Sequence, residues 1–455
     1  MLVKPQLFGT DGVRGRAGEY PLDPATVARL AWALCQALQA SAPGTPLQVV
    51  IGEDTRESSP WIADALAAGL RAGGAVVRHA GIITTPGIAF LTRLHQFSAG
   101  VMVSASHNPY QDNGIKVLSP LGTKMSQNFE MQVENWLESP RASAIAAGPE
   151  PLPQDSDLVE DYLAFLARLA PASNHLARMR LVVDCANGAS SALAGPLFKR
   201  LGVRAELLNA QPNGQNINLD CGSLHPQAMA AATQALGADL GVAFDGDADR
   251  AIFATSQGKV VNGDHVLFAM GPYLKAHGEL KGDAVVGTLM TNLGLELALR
   301  SRGISLKRTD VGDKFVLEEM LRSGINLGGE PSGHIIFADV SLAGDGLVTL
   351  LEILRLISET GEDLQHRLSG LIQFPQVIRN VRVRSKPPLD SLTGVQQAIR
   401  DCNRECGERG RVVVRYSGTE TLARVMVEAE DSHVVERHAE LISRAIQAAI
   451  GDGDL

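Results

Sequence analysis

Cysteine is scarce and poorly placed for a structural role. The five cysteines among 455 residues (Cys35, Cys185, Cys221, Cys402 and Cys406) are odd in number, scattered, and include no Cys-x-x-Cys pair. They support neither a disulfide framework nor a zinc site, and they fit the reduced thiols of a cytoplasmic protein. Long hydrophobic runs are missing as well. Met1-Leu2-Val3-Lys4-Pro5-Gln6 has no apolar core of signal-peptide length, and the most apolar later stretch, Leu347 to Ile357, is broken by Glu352 and Arg355. A soluble protein without a targeting segment or membrane span is expected. Basic residues are not in excess: Lys+Arg 41 against Asp+Glu 50 leaves a formal charge of −9. That balance argues against nucleic acid or an anionic membrane surface as the partner. An anionic substrate would need a local basic pocket.

What is present is length and apolar content. With 45% hydrophobic residues, a chain of this size buries a large core, and about 150 residues per domain gives roughly three domains. Three segments share one plan, in which an apolar run ends in a Gly, Asp or Asn turn and an Ala- and Leu-rich helical stretch follows. They begin at Val49-Val50-Ile51-Gly52-Glu53-Asp54, at Leu181-Val182-Val183-Asp184-Cys185-Ala186-Asn187-Gly188, and at Ala284-Val285-Val286-Gly287-Thr288. Continuous β-branched runs alternating with helical periodicity predict α/β units whose strands are buried on both faces of a parallel or mixed sheet. Ser58-Ser59 before Pro60 predicts a capped helix start ahead of Trp61 to Leu70. After about residue 370 the plan changes to strand, helix, two strands (Val412 to Tyr416, Ala423 to Glu428) and a last helix from about Val434 to Ile450. This piece reads as a small α+β domain. Gly148 to Pro153 and Lys386-Pro387-Pro388 read as junctions or loops.

Five polar stretches carry chemistry. In Val101-Met102-Val103-Ser104-Ala105-Ser106-His107-Asn108-Pro109 an apolar strand ends in small polar residues that display the Ser106 hydroxyl in an exposed turn, and the turn runs through Asp112-Asn113-Gly114 to the cation Lys116. Such a hydroxyl suits a nucleophile or a carried phosphoryl group. Asp245-Gly246-Asp247-Ala248-Asp249-Arg250 follows Leu240 to Phe244 and sets three carboxylates at alternate positions beyond a strand end. In an extended turn these point the same way, and three hard oxygen donors suit Mg²⁺. An EF-hand is excluded because Arg250 and Ser256 stand at its glycine and glutamate positions. Aspartyl-phosphate phosphatases share the alternating aspartates and remain an alternative.

Arg415-Tyr416-Ser417-Gly418-Thr419-Glu420 combines a guanidinium, two hydroxyls and a glycine, the parts of a phosphate cradle. Gly328-Gly329-Glu330-Pro331-Ser332-Gly333-His334 offers Glu330 and Ser332 to vicinal sugar hydroxyls, with His334 available for hydrogen bonding or proton transfer. Phe8-Gly9-Thr10-Asp11-Gly12-Val13-Arg14-Gly15 sets glycines around Arg14, compatible with phosphate approach. Each also has a plain reading as a turn, a solvated acidic loop or a surface lysine.

Taken in order, these motifs resemble the α-D-phosphohexomutase superfamily and, within it, the bacterial phosphoglucosamine mutases. The Phe8 to Gly15 stretch, Arg308-Thr309-Asp310-Val311-Gly312-Asp313-Lys314 and Arg424-Val425-Met426-Val427-Glu428 carry the finer match, while Tyr416, Thr421 and Lys314 depart from the usual residues. The resemblance implies three similar mixed α/β domains around a central cleft plus a smaller C-terminal domain, divided here as 1–155, 156–256, 257–371 and 372–455. It implies that Ser106 is a phosphoserine, that Asp245, Asp247 and Asp249 with Ser106 hold one Mg²⁺ per chain, and that Lys116, Arg14 and His107 assist transfer. Arg250, Glu330, Ser332 and His334 would read the sugar, and Arg415, Ser417, Gly418 and Thr419 the distal phosphate. The reaction implied is interconversion of glucosamine 6-phosphate and glucosamine 1-phosphate through glucosamine 1,6-bisphosphate, feeding UDP-N-acetylglucosamine and cell-wall synthesis, by a cytoplasmic homodimer. A phosphomannomutase/phosphoglucomutase, a phosphatase using Asp245 and a non-catalytic sugar-phosphate sensor are the alternatives.

Overall fold

The computed structural model describes residues 7–9, 11–145, 151–171, 175–417 and 420–452. Thr10, Gly418, Thr419 and part of the Gly148 to Pro153 junction lie outside them.

The first sheet contains β1 (Val13–Arg16), β2 (Gln48–Glu53), β3 (Val76–Ile82), β4 (Ala99–Val103) and β5 (Asp112–Leu118), in the order β1-β5-β4-β2-β3. β2 runs parallel to β3 and β4, and β5 returns antiparallel to β4. Strand residues are apolar on both faces because two cores need them: Val49, Ile51, Val101 and Val103 pack into one, Val50 and Met102 into the other. Helix Pro24–Ser41 covers the first face, started by Pro24 and by Asp23, whose carboxylate accepts from Thr26 N. Helix Ser59–Ala72 packs beside it, but not as its sequence predicts. Ser58 makes no side-chain cap, because its hydroxyl accepts from Asn113 instead (2.8 Å).

The same plan recurs twice. The second sheet has β6 (Arg180–Asp184), β7 (Arg204–Leu208), β8 (Leu240–Phe244), β9 (Ala251–Thr255) and β10 (Val260–Val261), in the order β10-β9-β8-β6-β7. The third has β11 (Ala284–Thr288), β12 (Ser305–Thr309), β13 (Leu327–Gly329) and β14 (Ile335–Phe337), in the order β12-β11-β13-β14. In each, two parallel neighbours flank the first strand of the unit and a fourth strand turns back antiparallel. One continuous hydrophobic cluster joins all three units, running from Ile83 and Phe90 through Leu181 and Phe244 to Val266 and Leu350.

The C-terminal unit has its own core. β15 (Gln376–Arg382), β16 (Gly410–Tyr416) and β17 (Leu422–Ala429) form an antiparallel sheet in the order β15-β17-β16. Helices Thr393–Cys406 and Ser432–Ile450 pack on it around Val395, Val425, Val435 and Ile442. A polar clamp ties this unit to the third. Arg411 donates to the carbonyls of Leu289 (3.0 Å) and Thr291 (2.9 Å) and pairs with buried Glu428 (2.8 Å), which accepts from Leu293 N (3.0 Å). The Asn292 amide pairs with both backbone groups of Phe374 (3.0 and 2.9 Å).

All five cysteines are free thiols; Cys406 is half-buried and the other four are buried. Among the described residues, no helix is long and apolar enough to cross a membrane.

Candidate active site

The repeated plan decides where the chemistry sits. In each α/β unit the third parallel strand ends at the same edge of its sheet, and the chain must turn there to run back antiparallel. The turn after β4 carries Ser106, the turn after β8 carries Asp245 to Arg250, and the turn after β13 carries Glu330 to His334. Carboxyl ends of parallel strands are where open α/β sheets bind ligands.

Ser106 is not exposed, as its turn-like sequence suggests, but 2% accessible, because the Asp245 loop closes over it. Its hydroxyl donates to Asp245 Oδ2 at 2.5 Å and lies 3.4 Å from His107 Nδ1. Ser104 is a different kind of serine. Fully buried, it donates to Asp54 (2.7 Å) and accepts from Ser106 N (2.9 Å). Lys116 lies within β5 rather than in a turn, since Asp112 to Leu118 pairs with both β4 and β1. Its ammonium pairs with Asp247 (2.6 Å) and Asp249 (3.4 Å).

The three aspartates converge through a tight turn rather than an extended one, with Ala248 at φ +54. One carboxylate oxygen from each lies within 4.8 Å of the other two. Burial, then Asp249 and Asp247, push the Asp245 carboxyl up to about 8. Asp249 goes the other way: burial raises it, but Lys116 and His334 hold it well below the ordinary range. Burial would also lower Lys116, yet Asp247 and Asp249 keep its pKa above the usual lysine value. Asp247 Oδ1 and Asp249 Oδ1 are buried without a hydrogen-bond partner. Hard, anionic oxygens left unsatisfied at this spacing fit a divalent cation such as Mg²⁺.

A cleft of about 710 Å³ opens beside these groups, lined by Phe8, Arg14, Ser106, Arg250, Glu330 and His334 among others. Arg14 contacts Asp11 (3.3 Å) and Asn108 (3.4 Å). Arg250 N donates to Asp245 Oδ1 (3.2 Å), while its guanidinium faces Asp249. Glu330 accepts from Gly312 N (3.0 Å), and Ser332 Oγ is buried without a partner. His334 lies between Asp249 and Asp313, 3.8 Å from each; burial works against its charge, but these acids raise it to about 9. His107 is shifted down, by burial and then by Arg250 and Arg14.

Arg415 and Ser417 do not line the cleft. Arg415 sits on β16 opposite Arg424, and Ser417 begins the β16–β17 turn, its carbonyl accepting from Lys386 (2.7 Å). Side chains missed in the sequence complete the site. Lys124 bridges Asp11 (2.5 Å) and Asp313 (2.8 Å) across the first and third units. Arg56 and Asn218 hold the Ser106 turn from beneath. Asp54-Thr55-Arg56 follows β2, whose end lies beside that of β4, and this adjacency was the available signal.

Three sheets of one plan, a polar cleft that holds Arg14, Lys124 and Arg250, and a hydroxyl set against an acidic triad define the architecture of a phosphohexomutase. Family profiles tile the chain accordingly. The phosphoglucomutase/phosphomannomutase alpha/beta/alpha domains I, II and III match residues 5–143, 160–258 and 262–374, and the C-terminal domain of that family matches 379–445. Its relatives include a phosphoglucosamine mutase from Koribacter versatilis, 49% identical over 98% of this chain and 97% of its own length. The chain belongs to the phosphoglucomutase/phosphomannomutase family and, within it, to the phosphoglucosamine mutases, which makes it an isomerase. Among solved structures, a Burkholderia thailandensis phosphoglucomutase/phosphomannomutase family protein shares the fold with a TM-score of 0.80 at 24% identity, over 98% of each chain. An Aspergillus fumigatus N-acetylphosphoglucosamine mutase, in complex with GlcNAc-6P and magnesium, matches at 0.65 and 18% identity, over 98% of this chain and 96% of that one.

Proposed function

We propose that the protein interconverts glucosamine 6-phosphate and glucosamine 1-phosphate, with phospho-Ser106 as donor and glucosamine 1,6-bisphosphate as intermediate and activator. The observation that carries this reading is the Ser106 hydroxyl, 2.5 Å from Asp245 at the floor of a cleft lined by Arg14, Arg250 and Lys124. In the forward half, the bond from phosphorus to Ser106 Oγ breaks as a sugar hydroxyl bonds to phosphorus. His107, 3.4 Å from Oγ, is placed to pass the hydroxyl proton on to the departing Ser106 oxygen, which leaves as a hydroxyl. Arg14 and Arg250 balance the charge of the transferring group. Glu330, Ser332 and His334 hold the sugar by hydroxyls that keep their place when it turns end for end.

Asp245, Asp247, Asp249 and Ser106 would hold one Mg²⁺, whose chemistry when bound is to neutralise phosphoryl oxygens. Lys116, fixed on Asp247 and Asp249, keeps that acid cluster compact. Arg415, Ser417, Gly418 and Thr419 form the distal phosphate cradle in this reading, brought to the cleft by closure of a domain with a separate core. Domain divisions at 155/156 and 371/372, a homodimer and a cytoplasmic location belong to the same proposal; the division expected at 256/257 moves past Val261, since Val260–Val261 pairs with β9 of the second sheet. The test is a bisphosphate-primed assay with Mg²⁺ on the 6-phosphates of glucosamine, glucose and mannose, with the covalent phosphate mapped by mass spectrometry. Glucosamine 6-phosphate should turn over fastest, with phosphate on Ser106. Ser106→Ala should lose at least about a thousandfold in kcat while still binding sugar phosphate. Phosphate on Asp245 would point to a phosphatase instead.

A further inference from the structure

Ser106 has a φ of +52, a left-handed conformation that a residue with a Cβ keeps only where its surroundings impose it. Two side chains from outside its turn supply the constraint. Arg56 is fully buried and ion-paired with equally buried Asp54 (2.9 Å). Its guanidinium donates to the carbonyls of Ser106 (2.8 Å), Asn108 (2.9 Å), Asp112 (3.0 Å) and Pro109. Asn218, from the second unit, donates its amide to the same Ser106 carbonyl (2.9 Å) and to Asn108 (3.2 Å). Both lone pairs of the Ser106 oxygen are therefore engaged. On the other side of the residue, Ser106 N is held by Ser104 Oγ, which Asp54 anchors in turn. The peptides before and after Ser106 are fixed, and from that backbone the hydroxyl donates to Asp245.

Neither Arg56 nor Asn218 lines the cleft, so neither meets the sugar. We infer that Arg56 and Asn218 are positioning residues for phosphoryl transfer, which act by holding the Ser106 peptide in its left-handed turn. Arg56 comes from the unit that carries Ser106, Asn218 from the unit that carries the aspartates. Their shared acceptor sets one reacting loop against the other across a domain boundary. A displacement of about 1 Å in such a constellation costs on the order of a hundredfold in rate. The inference rests on the phosphoserine reading above.

The decisive variant is Asn218→Asp. Asn218 has a φ of +58, which aspartate also tolerates; the backbone is kept while the donor becomes an acceptor facing a carbonyl. Arg56→Lys keeps the charge and removes the fork. Three readouts are compared with wild type in the full-length enzyme: kcat and KM, the rate at which glucose 1,6-bisphosphate adds a phosphate by intact mass, and the melting temperature. We expect kcat and the phosphorylation rate to fall together by about 10- to 100-fold, with KM within about twofold and melting lowered by a few degrees. A merely structural role would lower melting and leave both rates per folded molecule unchanged. If Arg56→Lys does not fold, Asn218→Asp decides alone. Variants that match a phosphorylated wild type overturn the inference by itself. A wild type that takes no phosphate on Ser106 overturns the functional reading and the inference together.

Discussion

Asp264 stands in the first turn of helix Gly263–Ala276, beneath the clamp that joins the third and fourth units. Its Oδ2 accepts from Asn292 N at 2.9 Å, and its buried Oδ1 has no hydrogen-bond partner. Burial, with a contribution from Glu428 that Arg308 and Arg411 partly offset, lifts its carboxyl to about 7. In the unfolded chain it ionises near the ordinary value of about 4. Between those pH values the folded state binds the extra proton, so this group makes stability fall as pH rises through the window and adds no further change above about 7. Asp264→Asn keeps an acceptor for Asn292 N and removes the ionisation. Its melting temperature should match wild type near pH 4, exceed it increasingly up to about pH 7 and then keep a constant lead; a pH-independent difference in thermal melts would refute the account. Ser106 and the aspartates were legible in the sequence because their residue types and spacing state a chemistry. Arg56 and Asn218 were not, because they act through backbone carbonyls that no residue pattern encodes.

Strands and turns follow local rules that the sequence displays only in part. The apolar runs at Val49 to Ile51, Leu181 to Val183 and Ala284 to Val286 became strands as their β-branched content predicts. Asp112-Asn113-Gly114 misled because these residues favour turns in isolation. Here β1 pairs antiparallel with all three residues, Arg56 donates to the Asp112 carbonyl and Ser104 N to that of Gly114, and the turn preference loses. Between the Ser106 and Asp245 turns there is no room for a methyl group. A Cβ on Gly246 would lie 2.5 Å from the Ser106 carbonyl oxygen and 3.0 Å from the Asn218 amide. Gly246→Ala should therefore separate the two turns, cutting kcat by at least about tenfold while leaving far-UV circular dichroism unchanged. Wild-type turnover in that variant would show that the turns are not held in contact.

Across the whole molecule, stability divides unevenly. One apolar cluster crosses the first three units, whereas the fourth is closed around Val381, Val425, Val435 and Ile442. Calorimetry should therefore resolve a separate transition for the C-terminal unit. Ile442→Ala, at a fully buried position, should lower that transition alone by about 2–5 kcal/mol; a single transition that shifts as one would contradict the division. The change of plan after residue 370 announced this unit in the sequence. The cluster shared by the other three did not show, because its partners are distant in the chain and meet only once the sheets have stacked.

The thiols turn that division to practical use. Cys406 is the single thiol that is not fully buried, and it lies on a helix of the unit with a separate core. A maleimide fluorophore would therefore attach to the natural chain at one position without any engineered cysteine. Its emission would follow the stance of the C-terminal unit as sugar phosphates enter and leave, so motion and turnover can be timed on the same molecule.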